Sequence, residues 1–451
     1  MTRNIKKLLI ANRGEIAVRI QRACRKLGIQ SIQICSQADR DAPFVASADE
    51  NLCIGPASAG QSYLDIHRIV AAARLCNADA VHPGYGFLSE NAEFSDAVEA
   101  AGMAFVGPTG DVIRKMGDKI SAKKAMLTAG VPCIPGYEGH ATSNTDTLAP
   151  EAEKVGYPLI IKAAAGGGGR GMRVVHEAQE LGTALAQTRE EARLAFGNPS
   201  VYLERYLEHP RHVELQILAD GQGNVIVLGE RDCSLQRRHQ KIIEEAPAPG
   251  IPRDKIDALS KTCSTACRAI GYRGAGTFEF LYEDGIFSFI EMNTRIQVEH
   301  PVTEEIYGFD LVAAQLRVAN GEQLWVTQDE LAPRGHALEC RINAEDPGTF
   351  MPSPGTITKW IEPTGEGVRV ETHCCTGSVI SAHYDSMIAK IICHADTRIE
   401  AIDRMKAALD AFTVEGIATN APLHRRLLDD PVISKGGMDI HYLEAKLEGR
   451  T

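Results

Sequence analysis

One stretch of the chain sets an unusual group of side chains at strand spacing. It comprises Phe278-Glu279-Phe280 and, after a short turn, Phe289-Ile290-Glu291-Met292-Asn293-Thr294-Arg295-Ile296-Gln297-Val298-Glu299-His300. The runs on either side of Asp284-Gly285 are aromatic and β-branched, and Asp-Gly is a strong hairpin signal, so the two segments are predicted to pair as antiparallel strands. That hairpin puts Glu279 and Glu291 opposite each other to within one residue of register. Like charges opposed across a ladder are destabilising, so the pair calls for a cation between them. A hard, oxygen-ligated ion such as Mg²⁺, shared with substrate phosphates, fits two carboxylates with Asn293 added. Alternation along a strand further predicts that Glu291, Asn293, Arg295, Gln297 and Glu299 project to one side for as long as the strand runs straight. One face would then pass from metal ligands through an anion-binding cation to a general base. The plain alternative is an exposed edge strand whose polar residues meet water, and it sits badly with Phe289 and Ile290 in the same run.

At 451 residues the chain has the length for about three domains with buried cores. Its composition, 44% hydrophobic and 24% charged, is that of an ordinary globular protein. The net charge of −11 argues against nucleic acid as the main partner, because binding a phosphate backbone needs a basic face. Anionic substrates must then be met by local Lys and Arg clusters. Twelve cysteines are scattered without a CxxC pair, the nearest approaches being Cys263 to Cys267 and the adjacent Cys374-Cys375. This is neither a zinc nor a disulfide framework, and it suits a reducing cytoplasm. The opening Lys6-Lys7-Leu8-Leu9-Ile10-Ala11 is interrupted by Asn12-Arg13-Gly14-Glu15, too early for a signal-peptide core. No apolar run approaches the length of a membrane span. The expectation is a cytoplasmic protein with no nucleic acid and no membrane as partner.

Along the chain, Leu8 to Ala11 reads as a buried strand, Glu15 to Cys24 as an amphipathic helix stopped near Gly28, and Ser31 to Cys35 as another strand. The same rhythm continues through Ala78 to Val81 and Met103 to Pro108, which predicts a doubly wound parallel sheet over roughly the first 115 residues. No G-x-G-x-x-G follows its first strand, so a dinucleotide role is disfavoured. Pro132, Pro135 and Gly136 mark a boundary. Strands are then predicted at Val213 to Leu218 and Val225 to Leu228, joined by a turn over Asp220 to Asn224. A third unit starts near Gly335; it carries His336 to Asn343, several Gly/Pro turns and Met387 to Cys393, and closes with a helical pattern from Ile402 to Phe412 and a segment ending at Leu447.

Three further segments carry chemistry. Gly166-Gly167-Gly168-Gly169-Arg170-Gly171 follows a hydrophobic strand ending in Lys162; successive glycines let backbone N–H groups approach phosphate oxygens, although a glycine run alone is equally a flexible linker. It is not a Walker A sequence. Asp232 to Lys241 packs four basic-capable residues into five positions, read either as a solvated charge run or as a cluster in which Lys241 is a point charge for a small anion. His82-Pro83-Gly84-Tyr85-Gly86-Phe87-Leu88-Ser89-Glu90 follows an apolar strand, where open α/β sheets bind ligands, and is as readily a plain Pro-Gly turn.

Taken together, Ala11-Asn12-Arg13-Gly14-Glu15-Ile16-Ala17, the His82 to Asn91 segment, the glycine loop with Arg170-Gly171-Met172-Arg173, Gln236-Arg237-Arg238-His239-Gln240-Lys241, the Glu291 to His300 run and Glu339-Cys340-Arg341-Ile342-Asn343-Ala344-Glu345 resemble biotin carboxylase. The likeness runs from about Lys6 to about Leu447, with long motifs in a fixed order. It implies a mixed α/β and α+β enzyme: an N-terminal α/β domain over 1–117, an ATP-grasp domain over 118–334 with a mobile glycine-rich lid at about 134–206, and a C-terminal α+β domain over 335–451.

By the same resemblance, Lys119, Lys162, Gly166, Gly167, Gly168, Gly169, Glu204, His212, Gln236 and His239 would contact ATP together with Glu279 and Glu291. Glu279, Glu291 and Asn293 would hold one or two Mg²⁺ or Mn²⁺ ions. Lys241, Arg295, Gln297, Val298 and Glu299 would bind bicarbonate, and Tyr85 with Arg341 would face biotin. Glu299 would deprotonate bicarbonate for attack on the γ-phosphoryl group, giving carboxyphosphate and ADP. Released phosphate would take the N1′ proton of biotin while Arg341 stabilises the enolate-like ureido oxygen. Carboxybiotin would result, the first half-reaction of an enzyme such as acetyl-CoA carboxylase. No Met-Lys-Met-type acceptor hairpin is present, so biotin is expected on a separate biotin carboxyl carrier protein, with the carboxyltransferase on another chain and this chain as a homodimer. Two departures stand out: Ala165 stands where the family usually continues the glycine run, and the region around Cys374-Cys375 is atypical.

Overall fold

The computed structural model describes residues 3–137, 145–164 and 171–449. The glycine run at 166–169 and Ala165 lie outside the described residues. The first sheet is parallel, with strands β1 (Lys7–Ile10), β2 (Gln30–Ser36), β3 (Glu50–Gly55), β4 (Ala80–His82) and β5 (Ala104–Phe105) in the order β3-β2-β1-β4-β5. The helix Gly14–Leu27 buries Ile16, Ala17, Ile20, Ala23 and Cys24, the stripe that its periodicity predicts, and stops at Gly28, whose φ of 69° closes the last turn. The sheet order reverses between β1 and β4. Their trailing loops meet there, and Asn12 Nδ2 donates to the carbonyls of Pro83 and Tyr85 at 2.7 Å each. Gly84 is required at this crossing: its φ is +65°, and a Cβ would stand 2.7 Å from Asn12 Nδ2.

A four-stranded sheet follows, ordered β6-β9-β7-β8, from β6 (Gly136–Tyr137), β7 (Leu159–Ala163), β8 (Met172–Val175) and β9 (Val201–Arg205). The helices Thr145–Val155 and Leu181–Phe196 accompany it, and Leu148, Ala152, Leu185 and Ala192 join the strands in a core of its own.

The largest sheet contains β10 (Arg211–Asp220), β11 (Val225–Arg237), β12 (Gln240–Ala246), β13 (Arg273–Glu283) and β14 (Ile286–Asn293). The chain then adds β15 (His336–Asn343), β16 (Gly355–Thr356), β17 (Lys359–Ile361), β18 (Val368–Thr372), β19 (Val379–Ile380), β20 (Met387–Ala395) and β21 (Thr413–Glu415). Of these, β15, β20 and β18 extend the same sheet, giving the order β14-β13-β10-β11-β12-β15-β20-β18, while β16 pairs with β19 and β17 with β21. Antiparallel pairing of β12 with β15 carries the ladder across residue 335.

Two expectations change. The strand β14 ends at Asn293, so the alternation that would align Glu291 through Glu299 covers only Glu291 and Asn293. Ile296 turns into the core, and Pro301 opens the helix His300–Tyr307 with Glu299 at its N-cap, which breaks the extended run. The basic segment at 232–241 is likewise not one surface. It is the bend of a hairpin between β11 and β12, turned at Arg238 and His239, which adopt φ of 48° and 63°. Among the described residues, no helix is long and apolar enough to cross a membrane, and no cysteine is joined in a disulfide.

Candidate active site

The β13–β14 hairpin turns at Asp284 and Gly285, both at positive φ, and brings Glu279 directly opposite Glu291. Both carboxylates line a cavity of about 260 Å³ between the four-stranded sheet and the large one. Lys119, Lys162, Glu204, His212, Gln236 and His239 line it as well, so six side chains predicted from separate segments converge. Glu204 accepts from Lys162 at 2.8 Å and from Lys123 at 3.0 Å. Burial opposes its ionisation, but the two lysines outweigh it and hold the carboxyl below the usual range. Gln236 Nε2 lies 2.9 Å from His212 Nδ1, and His212 Nε2 lies 3.3 Å from Glu279. Ile160, Met172, Leu281 and Ile440 supply an apolar wall in the same cavity.

The donor set suits a divalent cation. Burial and the facing Glu279 push the Glu291 carboxyl up, the repulsion that a shared cation relieves. Asn293 Oδ1 accepts from Arg295 at 2.8 Å and keeps a second lone pair for a cation, while its buried Nδ2 has no partner.

Lys241, at the start of β12, donates to Glu214 at 2.6 Å, Glu279 at 3.0 Å and Glu299 at 2.6 Å. Arg341 on β15 holds the second oxygen of Glu299 at 2.9 Å and also pairs with Glu244. Burial works against the Glu299 charge, yet Lys241, Arg341 and Arg231 prevail and keep this carboxyl well below its ordinary range. Gln297 donates to Glu279 at 2.7 Å and accepts from the fully buried Arg231 at 2.8 Å. Arg295 reaches back to Glu90 at 2.8 Å, tying the strand end to the His82–Asn91 segment.

A second cavity, of about 540 Å³, opens beside the first sheet and is lined by Tyr85, Arg295, Val298 and Arg341. Tyr85 donates its hydroxyl to Glu15. His82 shapes the loop and does not face the cavity: burial pushes its imidazole down to about 3, and the neutral ring accepts from the Gly84 N–H at 3.0 Å.

Several participants were not foreseen. Glu214, Arg231, Glu244, Glu90 and Lys123 each bind a predicted site residue. Glu214 gave a readable signal, a carboxylate inside the apolar run Val213 to Leu218, and the structure buries it completely against Arg231 and Lys241.

Three family models match most of the chain. Biotin carboxylase, N-terminal domain, covers residues 4–113; Carbamoyl-phosphate synthase L chain, ATP binding domain, covers 118–327; Biotin carboxylase C-terminal domain covers 339–445. Over 443 residues the chain is 58% identical to the biotin carboxylase of Pseudomonas aeruginosa, spanning 98% of this chain and 99% of that one. The chain belongs to the biotin carboxylase family. A further relative, one of the pyruvate carboxylase subunits of Methanothermobacter thermautotrophicus, is 50% identical, with 98% of this chain and 90% of that one covered. Among solved biotin carboxylases, the beta-gamma-ATP complex from Campylobacter jejuni has a TM-score of 0.94 at 46% identity, covering 98% of this chain and 99% of that one. The biotin carboxylase domain dimer of Hydrogenobacter thermophilus 2-oxoglutarate carboxylase, in complex with MgADP, ADP and bicarbonate, has a TM-score of 0.93 at 44% identity, covering 99% of each chain.

Proposed function

We propose that this chain carboxylates biotin with bicarbonate in an ATP-dependent reaction that passes through carboxyphosphate. The observation that carries it is the position of Glu299. This one carboxylate joins Lys241, which reaches Glu279 on the first cavity, to Arg341 on the second. A base so placed serves a small anion beside a nucleotide and lies next to the cation that a second substrate needs.

In this reading the apolar wall of the first cavity takes the adenine ring, while Lys119 and Lys162 take phosphate oxygens together with the glycine run at 166–169. Bicarbonate takes the place of a carboxylate on Lys241 and bonds to Arg295, Gln297 and the backbone at Val298. As bicarbonate occupies Lys241, Glu299 loses part of the positive field that keeps it ionised and becomes a stronger base. It removes the bicarbonate proton, the freed oxygen attacks the γ-phosphorus, and the bond to the β-phosphate oxygen breaks to release ADP. Mg²⁺ or Mn²⁺ held by Glu279, Glu291 and Asn293 would neutralise the charge that builds on the transferring oxygens. Carboxyphosphate separates into CO₂ and phosphate, phosphate takes the N1′ proton, and N1′ adds to CO₂. Arg341 faces the ureido oxygen and Tyr85 borders the ring.

The domain limits 1–117, 118–334 with a lid at about 134–206, and 335–451 accompany this reading, supported by the three family matches. Biotin is carried on a separate carrier protein and the carboxyltransferase is another chain, which the naming of the pyruvate carboxylase relative as one subunit of its enzyme supports. A homodimer is supported by the dimeric biotin carboxylase domain of 2-oxoglutarate carboxylase. The test is ADP release from ATP and bicarbonate with and without free biotin. Stimulation by biotin is expected; turnover indifferent to biotin would point instead to a ligase that forms an acyl or carbamoyl phosphate for another acceptor.

A further inference from the structure

Lys390 lies in the middle of β20 with no exposed side-chain surface. Its cross-strand neighbour on β15 is Arg341. Two opposed cations repel across a ladder, and here each turns to different acceptors. Arg341 takes Glu244 and Glu299, whereas Lys390 points to Glu15 at 3.2 Å and donates to the carbonyl of Val298 at 2.7 Å. Glu339, buried on β15 beside the same ammonium, makes no hydrogen bond at either oxygen.

Both targets of Lys390 lead into the site. A peptide unit is planar, so fixing the Val298 carbonyl also fixes the N–H of Glu299 and the backbone from which that carboxylate hangs. Glu15 stands in the first turn of the helix Gly14–Leu27, where the helix dipole favours an anion, and it accepts the hydroxyl of Tyr85. One ammonium therefore touches a segment at 298, a helix start at 15 and, through it, a loop at 85. A buried charge with unspent partners is costly, and a methionine would fill the same volume without that cost if packing were the only demand.

We propose that Lys390 and Glu15 are a positioning pair that sets the bicarbonate-binding peptide at Val298–Glu299 and the biotin-facing Tyr85 at a fixed separation, a role that rests on the carboxylation reading above. Lys390 lines neither cavity and acts through the groups that do; Glu15 borders the second cavity beside Tyr85, whose hydroxyl it holds.

The test uses the full chain with Lys390→Met and Glu15→Gln, following ADP release and carboxybiotin formation side by side with a melting curve. Lys390→Met is expected to raise the KM for bicarbonate and for biotin about 10-fold or more while the KM for ATP moves less than about twofold, because misplacement of the reacting groups is costly and the nucleotide cavity is untouched. Carboxybiotin formed per ADP released should also fall. Glu15→Gln keeps an acceptor for Tyr85 but removes the ion pair, so its shifts should run in the same direction and be smaller. If Lys390→Met does not fold, Glu15→Gln is judged by the same KM pattern. A lower melting temperature with all three KM values unmoved or moved together would make the pair a structural staple and overturn the proposal. A wild-type chain that forms no carboxybiotin would overturn the carboxylation reading and this role with it; an active wild type with unmoved variants overturns this role alone.

Discussion

The Nζ of Lys241 stands 2.6 Å from Oε1 of Glu299. This contact sets the proposed anion-binding cation directly on the proposed base. An anion bound by Lys241 would share it with three protein carboxylates and, in the proposed reaction, would change the basicity of Glu299.

Lys241→Gln is accordingly expected to raise the bicarbonate KM or depress kcat while leaving ATP binding nearly intact. Calorimetry with ATP and a bicarbonate saturation curve separate the two. Collapse of ATP affinity at unchanged bicarbonate saturation would assign Lys241 to the nucleotide.

Glu291→Gln should remove most activity through loss of the divalent cation, since Glu279 and Asn293 then form an incomplete set of hard oxygen ligands. The measurement is the dependence of rate on Mg²⁺ concentration. A wild-type dependence in the variant would exclude the assignment.

Arg341→Ser should lower carboxybiotin formation by about 10²-fold while bicarbonate-dependent ADP release falls much less, because an oxyanion-stabilising cation acts directly in the second step and reaches the first only through its contact with Glu299. The partners of Arg341 are Glu244 and Glu299, not the nearby Glu339 or Glu345, so a melting curve must accompany the assay to show how much of the loss comes from leaving Glu244 buried without its cation. Equal losses in both half-reactions would sink the biotin-facing role.

A stability prediction concerns Glu245, which accepts from His336 at 2.7 Å and from Arg398 at 2.6 Å. Burial disfavours its charge, but these partners outweigh burial and hold the carboxyl below its usual range. A depressed carboxyl contributes stability that is present above the unfolded-state pKa and lost as pH falls through the folded one. Glu245→Gln is expected to cost about 3 kcal/mol near pH 7, and the gap to wild type should narrow on acidification below about pH 4. Urea unfolding at the two pH values checks this; a gap that widens in acid would contradict it.

What could be read beforehand was local. Asp284-Gly285 dictates its own turn, the turn sets the register, and Glu279 therefore meets Glu291. Gly28 ends its helix for an equally local reason. The bend at Arg238 and His239 escaped notice because neither residue signals a left-handed turn as glycine or asparagine would. The contacts Glu244–Arg341 and Lys241–Glu299 were invisible for a different cause: the first depends on β12 pairing with β15 across 97 residues, the second on a strand meeting a helix N-cap 58 residues away, and no nearby residue encodes either choice. The extended run beyond Asn293 failed where a core isoleucine and a helix-opening proline took precedence over alternation.

The β12–β15 pairing also governs how this chain can be recombined. Glu244 and Arg341 hang from adjacent strands of one ladder that crosses residue 335. A chimera spliced near that position with a distant homologue would inherit one half of the ladder from each parent, and its mismatch would fall on the Arg341 guanidinium that lines the second cavity. Swaps that respect this protein's architecture have to exchange β12, β15 and β20 together, or exchange the four-stranded sheet alone, which keeps its own core and leaves that ladder whole.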